Sequence, residues 1–351
     1  MSTIDGDELM KQFVTLFLLF AIPTLAQTAP PPTAPVLSIE GGVTVAPPQP
    51  APDSQYRGIP DPSNALGFDV RADYTASQVI TGYQGTETLS CTGTAAQPCL
   101  IDASGATFDQ LTISGEYVVL QGGTVNAPAD DGPHLTVSCT NCVVRDAEVS
   151  GPGVDTGHSS AVRMNSFSVW IGGSIHGFGD NRVDAAEQDF HGMKVMADDV
   201  WVLEAEIYDN SGDSIQVGDA SRGSASRVYI GGGFYHHNRE NAVDIKDSHD
   251  IVVSGVHMEG FRPTSSSPGE ALVVHDDAYD ARIYDNVVRD STIGMVSSGA
   301  AGHIIDGNNI VALSKGIQIR NTQNITVTNN TISAPTPLDL QSGYSGTIQD
   351  Q

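Results

Sequence analysis

A short unit of one small residue followed by apolar, variable and apolar positions recurs along most of the chain. It occurs at 161–164, 192–195, 214–217, 242–245, 271–274, 294–297, 316–319 and 337–340, with weaker copies at 111–113 and 135–137. The first apolar positions follow one another at intervals of 21 to 31 residues. Each cycle carries a second brief apolar segment, as at 169–171, 200–202, 228–230, 251–253, 304–305 and 325–327. Asn and Gly close the cycles, as at Gly307, Asn308, Asn309, Asn329 and Asn330. Apolar residues alternate rather than recur at three and four, which excludes helical repeats. Leucine-rich repeats have a comparable length but need a Leu/Asn consensus that is absent. A period of about 22 residues with two or three short β segments per cycle predicts stacked coils. The pattern therefore predicts an all-β fold, a single-stranded right-handed parallel β-helix of about ten coils, roughly 45–50 Å long.

The first residues read differently. Lys11 precedes an apolar run from Phe13 to Leu25 that ends at Ala26, the form of a secretory signal with an upstream extension at 1–9. Residues 27–66 are Pro-rich and predict an extended linker, which leaves 67–351 for the β-helix. The four cysteines of an exported chain predict two local disulfides, Cys91–Cys99 and Cys139–Cys142. The expected location is secreted, extracellular or periplasmic, with no membrane span.

Charge narrows the partners. The chain has 16 Lys and Arg against 42 Asp and Glu, a net charge of −26. Without residues 1–26 it still carries −24, so the surplus belongs to the folded part. Nucleic acid is excluded, because binding phosphates needs basic patches. A monomer is expected.

Registering the coils turns the repeat into a surface, since equivalent residues stack in columns. One outward column reads Arg163, Lys194, Gln216, Asp244, Val273, Val296 and Gln318. A second includes Lys246 and His275, and a third, just before the small residue, includes His191, Asp213, Asn241 and Glu270. Polar and titratable groups thus concentrate between 191 and 277. The surplus coil length falls in the same place, at 179–190, 219–226 and 262–269. Loops on both margins of one sheet would wall a groove. An exported β-helix with a long groove suits a polysaccharide.

Over residues 85–345 the repeat resembles the pectate-lyase-like family of secreted β-helix proteins, and 241–248 is similar to the lysine-bearing strand of alginate and chondroitin lyases. Lys246 matches that lysine and His275 takes the place of the arginine on the next coil. Arg239 and Asn241 stand where the family has acids. The resemblance implies β-elimination on a uronic-acid polymer. Lys246 would be the base, provided its pKa is lowered, and His275 the acid or second base. Lys194, Gln216, His191 and Arg163 would bind substrate, and Asp213, Asp244, Asn241 and Glu270 would offer ligands to Ca²⁺. The rival expectations are a C5-epimerase and a glycoside hydrolase using Asp213 with Asp244 or Asp276 with Asp277. A non-catalytic glycan-binding surface protein is the third.

Overall fold

The computed structural model describes residues 55–349 apart from 130–131, 155–157, 165–166, 186–188 and 220. The signal segment and most of the Pro-rich linker lie outside the described residues. The rest of the chain is a right-handed parallel β-helix of about eleven turns. It begins one turn earlier than the repeat shows, because Ala76–Thr92 and Cys99–Glu116 form continuous outer turns rather than short units.

Each turn contributes to three parallel sheets. Sheet A includes Ser159–Met164, Phe190–Val195, Ile215–Val217, Val243–Lys246 and Glu270–His275. Sheet B includes Ser168–Ile171, Val200–Leu203, Ser226–Gly231 and His249–Ser254, and sheet C includes Ser174–His176, Glu206–Tyr208, Phe234–His236 and His257–Glu259. Val162, Met193, Ile215, Val243, Leu272, Met295 and Ile317 stack in register along sheet A, and all are fully buried. That column is the repeated apolar position of the sequence.

The corners explain the Asn, Asp and Gly punctuation. From sheet B to sheet C each turn passes through a left-handed residue, among them Asp146, Gly172, Glu204, Gly232, Gly255, Asp285, Gly307 and Asn329. Asp, Asn and Gly tolerate that conformation best. One residue further on, Asn286, Asn308 and Asn330 form an internal ladder. The Asn286 amide donates to Asn308 Oδ1 at 2.9 Å and the Asn308 amide donates to Asn330 Oδ1 at 2.8 Å. Asn308 also donates to the Ile283 carbonyl at 3.0 Å. Replacing Asn308 with Ala removes the acceptor of the buried Asn286 backbone N–H and side-chain amide, so a loss of about 1–3 kcal/mol is expected in denaturant unfolding.

Among the described residues, packing already involves Tyr56, within the segment read as linker. Tyr56, Ile59, Leu66, Phe68 and Val70 join a second apolar cluster with Val169, Trp201, Val252 and Tyr284 on the outer face of sheet B. This strap is pinned along its length. Arg57 pairs with Asp306 at 2.5 Å and lies 4.2 Å from the Tyr284 ring centroid. Trp201 donates to the Pro60 carbonyl at 3.0 Å, Arg71 pairs with Glu204 at 2.6 Å, and Arg145 donates to the Ala72 carbonyl at 2.9 Å. A five-residue helix, Pro62–Leu66, is capped by Asp61 and ends at the left-handed Gly67. Both expected disulfides are formed.

Candidate functional site

The outer face of sheet A carries the columns in the expected register. Arg163, Lys194, Gln216, Asp244 and Val273 align rung by rung, and Lys246 aligns with His275. The connections at 179–190 and 262–269 enter this sheet and that at 219–226 leaves it, so insertions stand on both margins. Arg239, with a fully buried side chain, fastens the two entering loops. Its guanidinium donates to Ser265 Oγ at 2.9 Å and Ser266 Oγ at 3.2 Å in one loop, and to the Ala185 carbonyl at 3.4 Å in the other. Two cavities, of about 310 and 350 Å³, open along the groove and share Asp189 and Lys246.

Asp244 organises one half of the centre. Its Oδ2 lies 2.8 Å from Lys246 Nζ and its Oδ1 2.8 Å from His275 Nε2. His275 Nδ1 faces Asp276 at 3.2 Å. Burial alone would raise the Asp244 carboxyl, but His275 and Lys246 hold it below its ordinary range. Burial would lower the Lys246 ammonium, yet Asp244 and Asp213 outweigh it and hold it above its ordinary 10.5. The expectation made Lys246 a base on the condition of a lowered pKa; the ion pair with Asp244 shifts it in the opposite direction and favours the charged ammonium. Burial also opposes the charge on His275, and the hydrogen bond to Asp244 overcomes it, so His275 is raised too. That suits a proton donor.

The other half is built around His191. Its Nδ1 accepts the Asp213 backbone N–H at 3.2 Å, and its Nε2 lies 3.2 Å from Asp189 Oδ1. Asp213 Oδ2 is 3.1 Å from the same Nδ1 and has no hydrogen-bond donor of its own among the described residues. Asp213 Oδ1 accepts the Asn241 backbone N–H at 3.0 Å. Burial pushes the imidazole below its ordinary 6.5 against the pull of Asp189. Burial, with Asp244 and Asp189 nearby, pushes the Asp213 carboxyl far up. Asp189 resists burial and stays below its ordinary range through His191 and a hydrogen bond from Glu240. Glu240 is pushed up to about 9 by burial and by Asp213 and Asp189. A neutral imidazole between two carboxyl groups can accept a proton and stabilise the imidazolium that forms.

The remaining expected residues fall around this centre. Lys194 is buried and pairs with Asp219 at 3.4 Å, so it reaches the groove as half of an ion pair. Gln216 is buried between Lys194 and Asp244, with its Oε1 unpartnered among the described residues. Arg163 lies one rung beyond Lys194, outside both cavities.

The four residues expected to hold Ca²⁺ do not make an oxygen shell. Both Asp244 oxygens face cations, the Asn241 amide donates to the Glu270 carbonyl at 2.9 Å, and Glu270 Oε2 accepts from Ser267 at 2.9 Å. Among the described residues, the group whose ligand atoms come within 4.8 Å of one another is instead Asp189, His191 and Asp213. Its nitrogen ligand suits zinc-like or copper-like ions better than calcium. Asp189 and Glu240 were missed in the sequence because they sit on the irregular connections, off the repeat columns. The alternation of Asp189 with His191 was their one legible signal.

Comparison with known proteins agrees with the architecture. Residues 178–346, just under half of the chain, match the family model described as periplasmic copper-binding protein (NosD). No curated protein matches the chain. Among solved structures, a mannuronic acid specific polysaccharide family 6 lyase from human gut microbiota is 11% identical, with a TM-score of 0.54, covering 76% of this chain and 78% of that one. An alginate lyase from Paenibacillus sp. str. FPU-7 is 15% identical, with a TM-score of 0.51, covering 75% and 99%. PfbA, a surface adhesin of Streptococcus pneumoniae, is 11% identical, with a TM-score of 0.50, covering 77% and 72%. At these identities the likeness is one of fold: the chain is a right-handed parallel β-helix. No helix among the described residues is long and apolar enough to cross a membrane.

Proposed function

We propose that the protein is an exported or periplasmic enzyme that removes the proton beside the carboxylate of a uronic acid in a polysaccharide. The observation that carries this reading is that His191, 3.2 Å from Asp189, lines the same cavity as Lys246, whose ammonium lies 2.8 Å from Asp244; burial favours the uncharged imidazole and the neighbouring carboxylates favour the charged ammonium. Abstraction of such a proton needs a base and a positive charge on the adjacent carboxylate. His191 supplies the first, with Asp189 stabilising its charged form. Lys246, held by Asp244, supplies the second without a metal ion. His275 or Glu240 holds a proton for the leaving oxygen in β-elimination, or for the opposite face of the carbon in epimerisation.

The test is a panel of alginate, pectate, chondroitin and hyaluronan, followed by absorbance of unsaturated uronate and by NMR of the uronate ratio. Absorbance identifies a lyase and a changed ratio an epimerase. Reducing ends without either would identify a hydrolase and sink the reading.

A second reading has its own observation. The convergence of Asp189, His191 and Asp213 within the segment matching the NosD model allows a transition-metal site in place of the base. Treatment with EDTA separates the two. Full turnover of the metal-free protein is expected, and stoichiometric metal whose removal abolishes turnover would favour the second reading.

A further inference from the structure

The outer face of sheet C carries chemistry that the groove does not use. One column there reads His176, Tyr208, His236 and Glu259 from rung to rung, and the column beside it reads Glu206, Phe234 and His257. The rings of the first column stack. Tyr208 lies 4.7 Å from His176 and 4.9 Å from His236 between centroids, with interplanar angles of 10° and 3°. This stack fixes the plane of the His236 imidazole. His237 follows at the corner, exposed and in the left-handed conformation at φ 53°, and its ring stands at 90° to that of His236. The two Nδ1 atoms face each other at 2.8 Å.

What that contact can bind depends on where the ring protons sit. His236 Nε2 lies 3.4 Å from Glu206 Oε1, and the carboxylate favours the tautomer with its proton on Nε2. Nδ1 then presents a lone pair to the second imidazole. A cation between the two nitrogens satisfies both, and that cation is either one proton or one metal ion. Imidazole nitrogens bonded to one ion at about 2.0–2.1 Å stand about 2.8–3.4 Å apart at angles of about 90–110°. The pair already has that spacing, so little movement is needed, and the exposed His237 ring can supply it. A carboxylate on the far nitrogen is also the outer partner that metal-binding histidines commonly have.

We propose that His236 and His237 form a site for a divalent transition ion that prefers nitrogen ligands, such as Zn²⁺, with Glu206 as the outer partner of His236. The pair supplies two ligand atoms, and solvent completes the shell on the exposed side. The site lies on sheet C, whereas the group of Asp189, His191 and Asp213 belongs to the groove on sheet A, and the assignment is independent of the reaction proposed there.

The experiment titrates the full chain with Zn²⁺ alone, by calorimetry and by the imidazole ¹⁵N resonances of histidine-labelled protein. His236→Phe keeps a ring in the stack and removes the ligand atom. His237→Asn changes an exposed residue to one that tolerates the left-handed backbone. Each is expected to remove one equivalent of bound Zn²⁺, with Glu206→Gln weakening that equivalent about tenfold. His191→Gln should leave it in place, and the Nδ1 resonances of two histidines should shift on saturation. Unchanged binding in both His236→Phe and His237→Asn would overturn the site, as would unshifted Nδ1 resonances. Loss of all binding in His191→Gln would also overturn it and assign the ion to the groove.

Discussion

His191→Gln is expected to lower kcat by about 10²- to 10⁴-fold on whichever uronate polymer the protein turns over, with substrate affinity little changed. The ring lines the cavity it shares with Lys246 and is held between Asp189 and Asp213, so its amide replacement removes the proton acceptor while leaving most of the lining in place. The direction of the pH dependence follows from burial. Because the imidazole is held below its ordinary 6.5, its active neutral form persists into mildly acidic solution, and activity fails only when pH falls through the lowered value. Lys246, held above its ordinary 10.5, keeps its charge across the same range. The pH profile of kcat/KM should therefore have an acid limb below 6.5 that disappears in the glutamine variant. An unchanged limb in His191→Gln would move the base elsewhere.

Trp201→Ala is expected to cost about 3–5 kcal/mol of stability, read as a fall in thermal or denaturant midpoint. The indole is almost fully buried, packs edge-on against Phe167 at 5.7 Å between centroids, and lies 5.0 Å from the Tyr229 ring. Its N–H holds the Pro60 carbonyl of the strap. Truncation would open a cavity beneath the strap and release one of its fastenings at once. Sheet B does not face the groove, so turnover at low temperature should be little affected. A loss below 1 kcal/mol would show that the strap contributes little to the folded state.

The fold was legible because every turn repeats the same demand. Met193, Ile215 and Val243 occupy one interior column, and no alternative period places them all inside. The groove face was legible for the same reason, since Lys194, Gln216 and Asp244 inherit their positions from those neighbours. Chemistry was less so. The identity of Lys246 says nothing about its pKa, which is set by the proximity of Asp244 and Asp213. Similarity to a lysine-dependent strand pointed to a base, whereas the neighbouring carboxylates in the packed structure favour the charged form of the same residue. Asp189 and Glu240 escaped because connections of variable length carry no register. The strap escaped because Pro-rich composition resembles a linker, while Tyr56, Ile59 and Phe68 within or beside it are apolar enough to dock.

Arg239 couples two loops that the chain places far apart. Its guanidinium holds the loop carrying Ala185 and the loop carrying Ser265 and Ser266, and the side chain has no exposure through which water could replace either partner cheaply. Two insertions separated by more than seventy residues therefore behave as a single gate.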